Sequence, residues 1–498
     1  MKAKLLDKSQ GKNLYEQVAD RIRSLIANGT LQPGDRLPSV RKLHQQLSVS
    51  ISTVLEAYRL LEDEGMISAR PQSGYYVKQT PFILPEEPTP SNPPGQVCAV
   101  DTYVASRVCA DIRNPKTIKL GAAVPSPELF PVATLNRIMG QVIRAQPEIV
   151  HAYDVSPGCE VLRREIAKRL MDAGCSVTPD QIVVANGATE AIYLSLQAVT
   201  QPGDTVAIES PCYFVLLQAL ESLHLKALEL PTHPREGISL EHLEVALDRG
   251  KIAACAVVSN FSNPLGSCMS DQRKKQLVEL LERHEVPLIE DDVYGDAYFE
   301  GTRPKAIKAF DRTGRVLYCA SVSKTLSPGL RVGWLVAGSY QSQVEQLKTV
   351  INVTGAIAPQ LTVAAFLANG GCDRHLRRLR QAYQCQMERM RMAICNYFPP
   401  ETKVTRPRGG LVLWLELPRE FDVMQLYEEA LEYQISIAPG VIFSPSGSYR
   451  NCLRLNCGLP WSEEIDRALQ ILGALSQKQL AGKILDRHWQ PEAKGLIL

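Results

Sequence analysis

The sequence predicts a multidomain protein, in which a small N-terminal α+β domain precedes a larger α/β domain with a smaller C-terminal α+β lobe. Three observations lead to this prediction. The chain has 498 residues, which is too long for one ordinary hydrophobic core. Six prolines lie between residues 81 and 95, and neither a helix nor a sheet can run through them. Beyond them, short apolar runs alternate with amphipathic helical segments, which is typical of a mostly parallel sheet.

The composition is that of an ordinary globular protein, with 45% hydrophobic and 22% charged residues. No apolar run reaches the roughly 18 residues of a membrane span, and the N-terminal lysines lack the apolar run of a secretory signal. Thirteen cysteines lie at irregular spacings with no CxxC pair. We therefore expect unpaired thiols in a reducing, cytoplasmic compartment, and no metal site.

The charge distribution is slightly asymmetric. Residues 1–79 contain twelve Lys and Arg against eight Asp and Glu, a surplus of +4, whereas the whole chain carries +2. The remainder therefore sums to −2. A basic N-terminal domain favours a nucleic-acid partner, although this surplus alone does not establish one.

The N-terminal domain, predicted to span residues 8–79, has the pattern of three helices followed by a β-hairpin. Apolar residues at a helical period predict the first helix, and they are Leu14, Val18, Ile22, Leu25 and Ile26. Ser39 is a candidate N-cap for a helix from Val40 to about Leu47, and Ser50 or Ser52 for the third helix. Two short strands are expected at Met66–Ala69 and Gly74–Val77. This is the arrangement of a winged helix-turn-helix.

The proline cluster is interpreted as an interdomain linker, residues 80–97. Such a segment forms a semi-rigid extended spacer, and a surface loop within one domain is the alternative. A second domain is predicted from 98 to 478 and a C-terminal tail from 479 to 498. Six apolar segments of the second domain are predicted strands: Gln181–Val184, Thr205–Glu209, Ala253–Ser259, Pro287–Glu290, Arg315–Ser321 and Gly333–Ala337.

The smaller lobe is predicted near the C-terminal end of this second domain. Charged helical sequence runs from about Arg374 to Cys395, and the apolar stretch LVLWLEL follows at residues 411–417. A helix followed by a strand at this point indicates an α+β lobe.

The stretch LPSVRKLHQQLSVSISTVLEAYRLLEDEGMI, residues 37–67, resembles the GntR family of winged-helix regulators. In that motif a helix enters the major groove with its N-terminal residues at base edges and phosphates. The resemblance implies DNA contacts by Arg41, Ser50, Ile51, Ser52, Thr53 and, at the wing, Gly74. The family usually has arginine where this chain has Ile51, so base preference cannot be carried over. The alternative is a helical dimerisation module that does not contact DNA.

The stretch SVSKTLSPGLRVGW, residues 321–334, combines a lysine with ligands suited to a phosphate. A lysine amine such as that of Lys324 forms a Schiff base with an aldehyde, and pyridoxal phosphate (PLP) is the aldehyde cofactor held in this way. The hydroxyls of Ser321 and Ser323 and the guanidinium of Arg331 suit its phosphate. The segment resembles the cofactor lysine motif of fold-type I aminotransferases. An exposed Ser/Lys turn is the alternative.

Further motifs of the same family occur in the expected order between about residues 115 and 475. The sequence Asn-Gly-Ala-Thr-Glu at 186–190 follows a predicted strand and opens a helix, where Ala188 and Thr189 can hold a phosphate. The resemblance implies that Tyr213 stacks on the pyridine ring. It also implies that Asn263, in the NPxG motif, hydrogen-bonds the ring hydroxyl oxygen.

The stretch IEDDVYGD, residues 289–296, is the second strong motif. An aspartate at the end of a buried strand can bind the protonated pyridine nitrogen. The family has a tyrosine three residues after this aspartate, and Tyr294 therefore selects Asp291 over Asp292. Tyr153 matches the tyrosine that reaches the phosphate of a partner subunit, which implies a homodimer with shared sites, either plain or domain-swapped.

Two further residues match the substrate-binding part of the family site. Arg454 matches the arginine that binds the α-carboxylate, and its planar fork suits bidentate carboxylate recognition. An ordinary strand arginine in an ion pair is the alternative. Gly121 matches the early loop over the site.

A winged helix, a Pro-rich linker and an aminotransferase-like domain together resemble the MocR subfamily of GntR regulators along essentially the whole chain. The resemblance implies a transcription factor that binds operator DNA, holds PLP through Lys324 and senses an amino acid or amine. Two alternatives remain open. One is a working aminotransferase with an accessory DNA-binding domain, and the other is a sensor of PLP itself.

Overall fold

The computed structural model describes residues 13–27, 30–32, 34–63, 66–70, 73–77, 85–111 and 114–488. The chain divides into two compact units, one before and one from Pro85 onwards. The predicted start of the first domain at residue 8, its end at residue 79 and the last ten residues of the predicted tail lie outside the described residues. Among the described residues, none of the helices has the length and apolar character needed to cross a membrane.

The first unit is the predicted set of three helices and a hairpin. These are α1 Leu14–Ala27, α2 Val40–Leu47, α3 Ile51–Asp63, β1 Ile67–Arg70 and β2 Gly74–Val77, with the two strands antiparallel. Ser39 Oγ accepts from Lys42 N–H at 3.3 Å, as a helix N-cap should. At α3, Ser50 Oγ accepts from Thr53 N–H at 3.1 Å, so Ser50 and not Ser52 is the cap.

The second unit alternates helices and strands along most of its length. Its elements are β3 Val97–Ala99, α4 Tyr103–Asp111, β4 Ile118–Lys119, α5 Val132–Ala145, α6 Pro147–Val150, α7 Glu160–Leu170, β5 Val183–Ala185, α8 Ala188–Val199, β6 Thr205–Ser210, α9 Phe214–Ser222, β7 Lys226–His233, β8 Gly237–Ile238, α10 Leu240–Asp248, β9 Ile252–Val257, α11 Asp271–Arg283, β10 Leu288–Asp291, β11 Val316–Ser321, β12 Gly333–Val336, α12 Gln341–Asn352, α13 Ile357–Ala368, α14 Cys372–Tyr397, β13 Lys403–Val404, β14 Val412–Glu416, α15 Val423–Glu432, β15 Ile435–Ser436, β16 Ala438–Pro439, β17 Cys452–Asn456 and α16 Glu463–His488.

One large mixed sheet organises the second unit. Its strand order is β3-β7-β6-β9-β10-β11-β12-β5, with β8 paired to β7. Strands β7, β6, β9, β10 and β11 are mutually parallel, whereas β12 is antiparallel to both of its neighbours. All six strands predicted from apolar segments belong to this sheet. The fold-class prediction is thereby confirmed, and the carboxyl ends of the parallel strands share one edge, where α/β proteins place their ligands.

A second sheet, in the order β13-β14-β17-β16 and antiparallel throughout, belongs to the small lobe, which we define as residues 398–488. The helix predicted near Arg374–Cys395 is α14, which precedes this lobe. The last helix, α16, continues through residue 479 to His488, which differs from the predicted tail from 479. The helix still buries polar groups there, since Gln479 is buried and donates to the carbonyl of Asp422 at 3.3 Å.

The predicted spacer, residues 80–97, is not free over its described part. Arg406 Nη2 donates to the carbonyl of Pro85 at 2.9 Å, and Val404 N–H donates to that of Glu86 at 2.8 Å. Strand β3, which begins at Val97, pairs with β7. Proline lacks a donor but its neighbours' carbonyls remain strong acceptors, so a Pro-rich segment can dock through them without forming regular structure.

Candidate functional site

The candidate site lies at the carboxyl edge of the large sheet, where residues from distant parts of the chain meet. Lys324 follows β11 and Asp291 ends β10, while Tyr213 follows β6. Arg454 comes from β17 of the small lobe. The side chains that the sequence motifs single out as the cofactor and ligand groups are therefore brought together at a seam between the sheet and the small lobe.

Lys324 occupies the turn after β11, and its contacts hold its amine in a fixed position. Its Nζ donates to the carbonyl of Ala123 at 2.6 Å, and Tyr383 Oη donates to the backbone carbonyl of Lys324 at 2.7 Å. Burial, and then the positive charge of Arg454, lowers the pKa of Lys324 to about 8. A larger share of this amine is therefore neutral near pH 7 than in an exposed lysine, and the neutral amine is the nucleophile.

Arg331 and the start of α8 form a surface with hydrogen-bond donors suited to a phosphate. Arg331 Nη2 donates to the carbonyl of Asn186 at 2.6 Å. Helix α8 begins at Ala188 without a side-chain cap, so the first-turn amides of Ala188 and Thr189 face outward from the helix end. Gly187 has φ +87°, and a Cβ there would lie 2.4 Å from Arg331 Nη2.

The two serines of the lysine motif lie at the same end of β11. Ser321 and Ser323 are both buried, and Ser321 Oγ accepts from Ser323 N–H at 3.3 Å. Their hydroxyls sit immediately before Lys324 in the chain. Their role as phosphate ligands stays a prediction.

The two neighbouring aspartates after β10 have different surroundings. Asp292 is engaged by Arg303 at 2.7 Å, by Asn260 at 2.7 Å and by the Tyr318 hydroxyl at 3.0 Å. Asp291 Oδ1 accepts only from Val293 N–H, at 3.1 Å, among the described contacts. Burial is the largest cause that raises the pKa of Asp291 to about 7. Asp291 is thus the carboxyl that suits a cationic partner such as a protonated ring nitrogen.

Three polar groups of the site, Asn263, Tyr294 and Arg454, are connected by hydrogen bonds. Asn263 Nδ2 donates to Tyr294 Oη at 3.5 Å, and Asn263 Oδ1 accepts from Arg454 Nη1 at 2.9 Å. Burial raises the pKa of Tyr213 to about 12 and raises that of Tyr294 further. Both phenols are therefore neutral and can donate a hydrogen bond to a ligand.

Arg454 is almost completely buried and incompletely paired. Its Nη2 donates to the carbonyl of Gly121, and its guanidinium carbon lies 5.0 Å from the ring centroid of Phe443. Its Nε is buried without a hydrogen-bond partner among the described residues. Burial lowers the pKa of Arg454 from its ordinary value. A buried cation with an unused donor can bind an anion such as a carboxylate, and that role of Arg454 stays a prediction.

The close approach of Gly121 to the small lobe requires glycine. A Cβ at Gly121 would lie 2.5 Å from the backbone carbon of Ile437. The segment from Gly121 to Ala123 therefore contacts both Arg454 and Lys324 through its carbonyls.

These residues together fit PLP. Lys324 offers an amine of lowered pKa, Asp291 offers a carboxylate for the ring nitrogen, and Arg331 with the α8 N-terminus offers a phosphate site. The unpaired Nε of Arg454 adds a position for the carboxylate of a second ligand. The donor set thus matches an aldehyde-bearing, phosphorylated pyridine next to an amino acid.

Tyr153 is the predicted site residue that this chain does not bring into the site. Its side chain is 81% exposed, and it lies in a surface segment with Val155, which is 64% exposed. The sequence motif assigns it to the site of a partner subunit, and that assignment stays a prediction.

Four of the predicted DNA-contact residues, Ser50, Ile51, Ser52 and Thr53, lie at the N-terminal end of α3. Ser50 Oγ lies 2.8 Å from Ser52 Oγ and 2.7 Å from Thr53 Oγ1, which groups three hydroxyls at the helix N-terminus. Ile51 is 47% exposed beside them, and Arg41 is exposed on α2. An exposed helix N-terminus of this kind can contact phosphates and base edges.

Two basic residues at the hairpin were missed by sequence reasoning: Arg70 lies in β1, whereas Arg36 precedes α2 and bridges to Tyr76. Gly74 has φ +109°, and Arg36 lies over it, with Nε 3.4 Å from the position of a Cβ. Arg70, opposite Gly74 in the ladder, stacks on the ring of Tyr76 at 4.3 Å. Their shared position became apparent only from the pairing of the two strands.

Other residues of the site were missed because their role depends on backbone or distant contacts. Ala123 and Asn186 act through carbonyls, Tyr383 through a hydroxyl on α14, and Asn260 and Arg303 hold Asp292. None of them lies in the motifs around Lys324 or Asp291. A contact prediction between distant segments would have been needed to find them.

Comparison with family models gives two matches. Residues 116–472 match the aminotransferase class I and II model, and residues 14–77 match the model of bacterial regulatory proteins of the gntR family. Among curated proteins, the chain is 41% identical over 466 residues to the uncharacterized HTH-type transcriptional regulator YdcR of Escherichia coli, covering 94% of this chain and 99% of that protein. It is 39% identical to YjiR of the same organism, covering 92% and 98%.

Solved structures resemble the second unit. The multiple substrate aminotransferase of Thermococcus profundus matches with a TM-score of 0.71 and 26% identity, covering 77% of this chain and 96% of that one. The α-aminoadipate aminotransferase LysN of Thermus thermophilus, in complex with N-(5'-phosphopyridoxyl)-L-leucine, matches with a TM-score of 0.70 and 26% identity, covering 76% and 100%.

Proposed function

This chain belongs to the family of HTH-type transcriptional regulators in which a gntR-family domain precedes an aminotransferase class I and II domain, and from that premise we propose that it is a PLP-binding transcriptional regulator that senses an amino acid. The observation that carries the proposal is the convergence of Lys324, Asp291 and Arg454 in one site. The same chain has the exposed N-terminus of α3, which is suited to DNA binding. A regulator needs both a ligand site and a DNA site.

The DNA-binding part of the proposal rests on α2, α3 and the hairpin. Arg41 is placed on the exposed surface of α2, where it can contact a phosphate. Ser52 and Thr53 lie at the N-terminus of α3, where side chains reach base edges. Ile51 offers apolar contact, for example with a thymine methyl group, in place of a bidentate contact to guanine.

In the second unit, PLP supplies an aldehyde carbon open to amines and an electron-withdrawing ring. Lys324 provides the amine that attaches the cofactor. Asp291 keeps a proton on the pyridine nitrogen, and Arg331 with the amides at the start of α8 binds the phosphate. Tyr213 packs against the ring face. Arg454 binds the carboxylate of an amino acid, which takes up its free Nε and competes for the donors that Asn263 and Gly121 accept from.

A homodimer is part of the proposal. An exposed apolar patch includes Tyr153, Val155, Val350, Ile351 and Val353. Thr354 Oγ1 donates to the carbonyl of Asp154, so the two segments of the patch are contiguous. Burying such a patch against a second copy would remove it from water and bring Tyr153 to the neighbouring phosphate site.

A transaminase activity is the second candidate function, because the lysine, the aspartate and the carboxylate-type arginine of the aminotransferase motifs meet in one site. Turnover assays against panels of amino acids and keto acids distinguish the two. A regulator should show little or no turnover with any pair, whereas an enzyme should show sustained turnover with at least one. Sensing of PLP alone would leave all amino acids and amines without spectral effect.

The proposal is tested on the purified full-length protein. Borohydride reduction followed by peptide mass spectrometry should place the cofactor on Lys324, and sequencing of the genomic DNA fragments that the protein retains should yield one recurrent site. A cofactor fixed to any other lysine, or retention of DNA without sequence preference, would contradict it.

A further inference from the structure

We propose that residues 85–91, here called the strap, couple the carboxylate-binding Arg454 to the DNA-binding unit. The inference rests on the proposed function, and it identifies the route by which ligand binding reaches DNA. The strap is the part of the predicted linker that lies on the second unit. Residues 78–84 join it to Val77, the last residue of the hairpin.

A short ladder of backbone contacts connects Arg454 with the strap. Arg454 of β17 is paired in register with Trp414 of β14. Thr405 N–H donates to the carbonyl of Trp414 at 3.0 Å, and Trp414 N–H donates to Thr405 Oγ1 at 3.1 Å. Strand β14 and Thr405, which makes two hydrogen bonds with Trp414, thus connect the buried guanidinium of Arg454 with the segment that contacts the strap.

The residues on either side of Thr405 bind the strap directly. Val404 N–H donates to the carbonyl of Glu86 at 2.8 Å, and Arg406 N–H donates to Glu87 Oε1 at 3.1 Å. Arg406 Nη2 donates to the carbonyl of Pro85 at 2.9 Å. The first three residues of the strap are therefore fixed to the small lobe.

Glu87 and Ser91 also fix the strap to the large sheet. Arg235, which follows β7, donates from Nε to Glu87 Oε2 at 2.6 Å. Ser91 N–H donates to the carbonyl of Thr232 at 3.1 Å, and Ser91 Oγ accepts from Thr232 N–H at 2.7 Å. The two oxygens of Glu87 thus bind the small lobe and the large sheet at the same time.

The strap consequently crosses the same seam that Arg454 crosses. Arg454 itself binds Asn263 and Gly121, which lie outside the small lobe. A carboxylate that takes up the donors of Arg454 changes how the small lobe is held against the sheet. Because Glu87 bridges these two parts, the change acts on the chain segment that leads to the DNA-binding unit.

Coupling of this kind requires that the ligand bind one arrangement of the strap better than the other. Glu87 binds both parts through the two oxygens of one side chain, so its substitution weakens the link between them while leaving both ligand sites intact. Its neighbour Glu86 is exposed and takes part only through its carbonyl. Glu87→Ala and Glu86→Ala therefore form a matched pair, with the same loss of charge at adjacent positions.

The experiment uses the PLP-loaded full-length protein, the common L-amino acids as probes, and the DNA fragment that the wild type selects. Absorbance reports binding at the PLP site, and the DNA dissociation constant is measured with and without each amino acid. In the wild type and in Glu86→Ala, the amino acid that changes the absorbance should change DNA affinity by about 5-fold or more. In Glu87→Ala the absorbance change should persist while the change in DNA affinity falls below about 2-fold.

Arg235→Ala gives a second test that leaves the small-lobe contacts of the strap in place, and it should also reduce the coupling. If no amino acid changes the absorbance, amino-acid sensing fails, and the same comparison is made between protein with and without PLP. Full coupling in Glu87→Ala and Arg235→Ala overturns the strap inference while leaving the proposed function standing. The inference is also overturned if neither amino acids nor PLP alter DNA affinity in the wild type.

Discussion

A Cβ at Gly187 would lie 2.4 Å from Arg331 Nη2. Arg331, the proposed phosphate ligand, can therefore pack against the start of α8 only because residue 187 is glycine. Gly187 also has φ +87°, a conformation that L side chains rarely adopt. Arg331 in turn donates to the carbonyl of Asn186. The geometry of the phosphate surface therefore depends on one residue without a side chain.

Gly187→Ala should weaken PLP binding by at least about 10-fold, because the methyl group displaces Arg331 and strains the turn by about 1–3 kcal/mol. Titration of the cofactor-free protein with PLP measures the affinity. Gly203→Ala is the matched control, since Gly203 has φ +94° with nothing within 4 Å of a Cβ. It should lose stability but keep its PLP affinity. Equal losses of PLP affinity in both variants would refute a specific role of the Gly187–Arg331 contact.

The rate of PLP attachment should depend on pH through Lys324. Its pKa is lowered to about 8, and only the neutral amine attacks the aldehyde. The rate should therefore rise with pH up to about 8 and then level off, instead of rising up to about 10 as for an ordinary lysine. Stopped-flow absorbance of the cofactor-free protein measures this profile. A rate still increasing tenfold per pH unit at pH 9 would exclude the assignment.

The stability of the cofactor-free protein should change in opposite directions when the charge of Asp291 or of its neighbour Asp292 is removed. Burial raises the pKa of Asp291 to about 7, so its folded-state pKa exceeds the unfolded value and stability falls as pH rises from about 4 to 7. Asp291→Asn should therefore stabilise the cofactor-free protein at pH 8 by up to about 4 kcal/mol, while PLP binding weakens.

Asp292→Asn should instead destabilise it by about 3–5 kcal/mol, because Arg303 loses its buried partner. Denaturant unfolding at pH 5 and pH 8 measures both variants. Destabilisation by Asp291→Asn at pH 8 would show that Asp291 has a structural partner and is not held for the cofactor.

Arg454 should control the response to amino acids and not the binding of PLP. Arg454→Ala removes the only buried guanidinium at the seam among the described residues. The spectral shift induced by an amino acid should then require at least about 100-fold more ligand, because a charge-assisted bidentate contact is lost. An amine of similar size without a carboxylate serves as the control ligand, and its effect should not change. An unaltered amino-acid response would favour an amine effector or PLP sensing.

Arg41→Ala in the full-length protein should weaken DNA binding by a similar factor for every sequence and reduce the salt slope by about one. Arg21→Ala, which removes an exposed arginine of α1, is the control. Ser52 or Thr53 substitutions should change sequence preference instead. Binding curves at several salt concentrations measure these effects, and a sequence-dependent loss in Arg41→Ala would assign it to base contact.

The sequence by itself determined the local elements and the order of the motifs. The period of the apolar residues in α1, the Ser39 cap and the serine–lysine–arginine spacing around Lys324 are all encoded within a few neighbouring residues. Such signals need no knowledge of distant contacts, because helix capping and strand burial act over a single turn or strand. The six predicted strands of the large sheet and the three predicted helices of the first unit therefore agree with the structure, whereas the predicted tail from residue 479 does not, because α16 continues to His488.

Only the tertiary structure decided how the site and the strap are assembled. Lys324 contacts Ala123 across 201 positions, and Arg454 contacts Asn263 across 191. The different surroundings of Asp291 and Asp292 depend on Arg303, Asn260 and Tyr318, and the docking of Glu87 depends on Arg235 and Arg406. Burial and hydrogen bonding between remote segments arise only after the sheet and the small lobe have packed, so no local pattern in the Pro-rich segment could reveal that it crosses their seam.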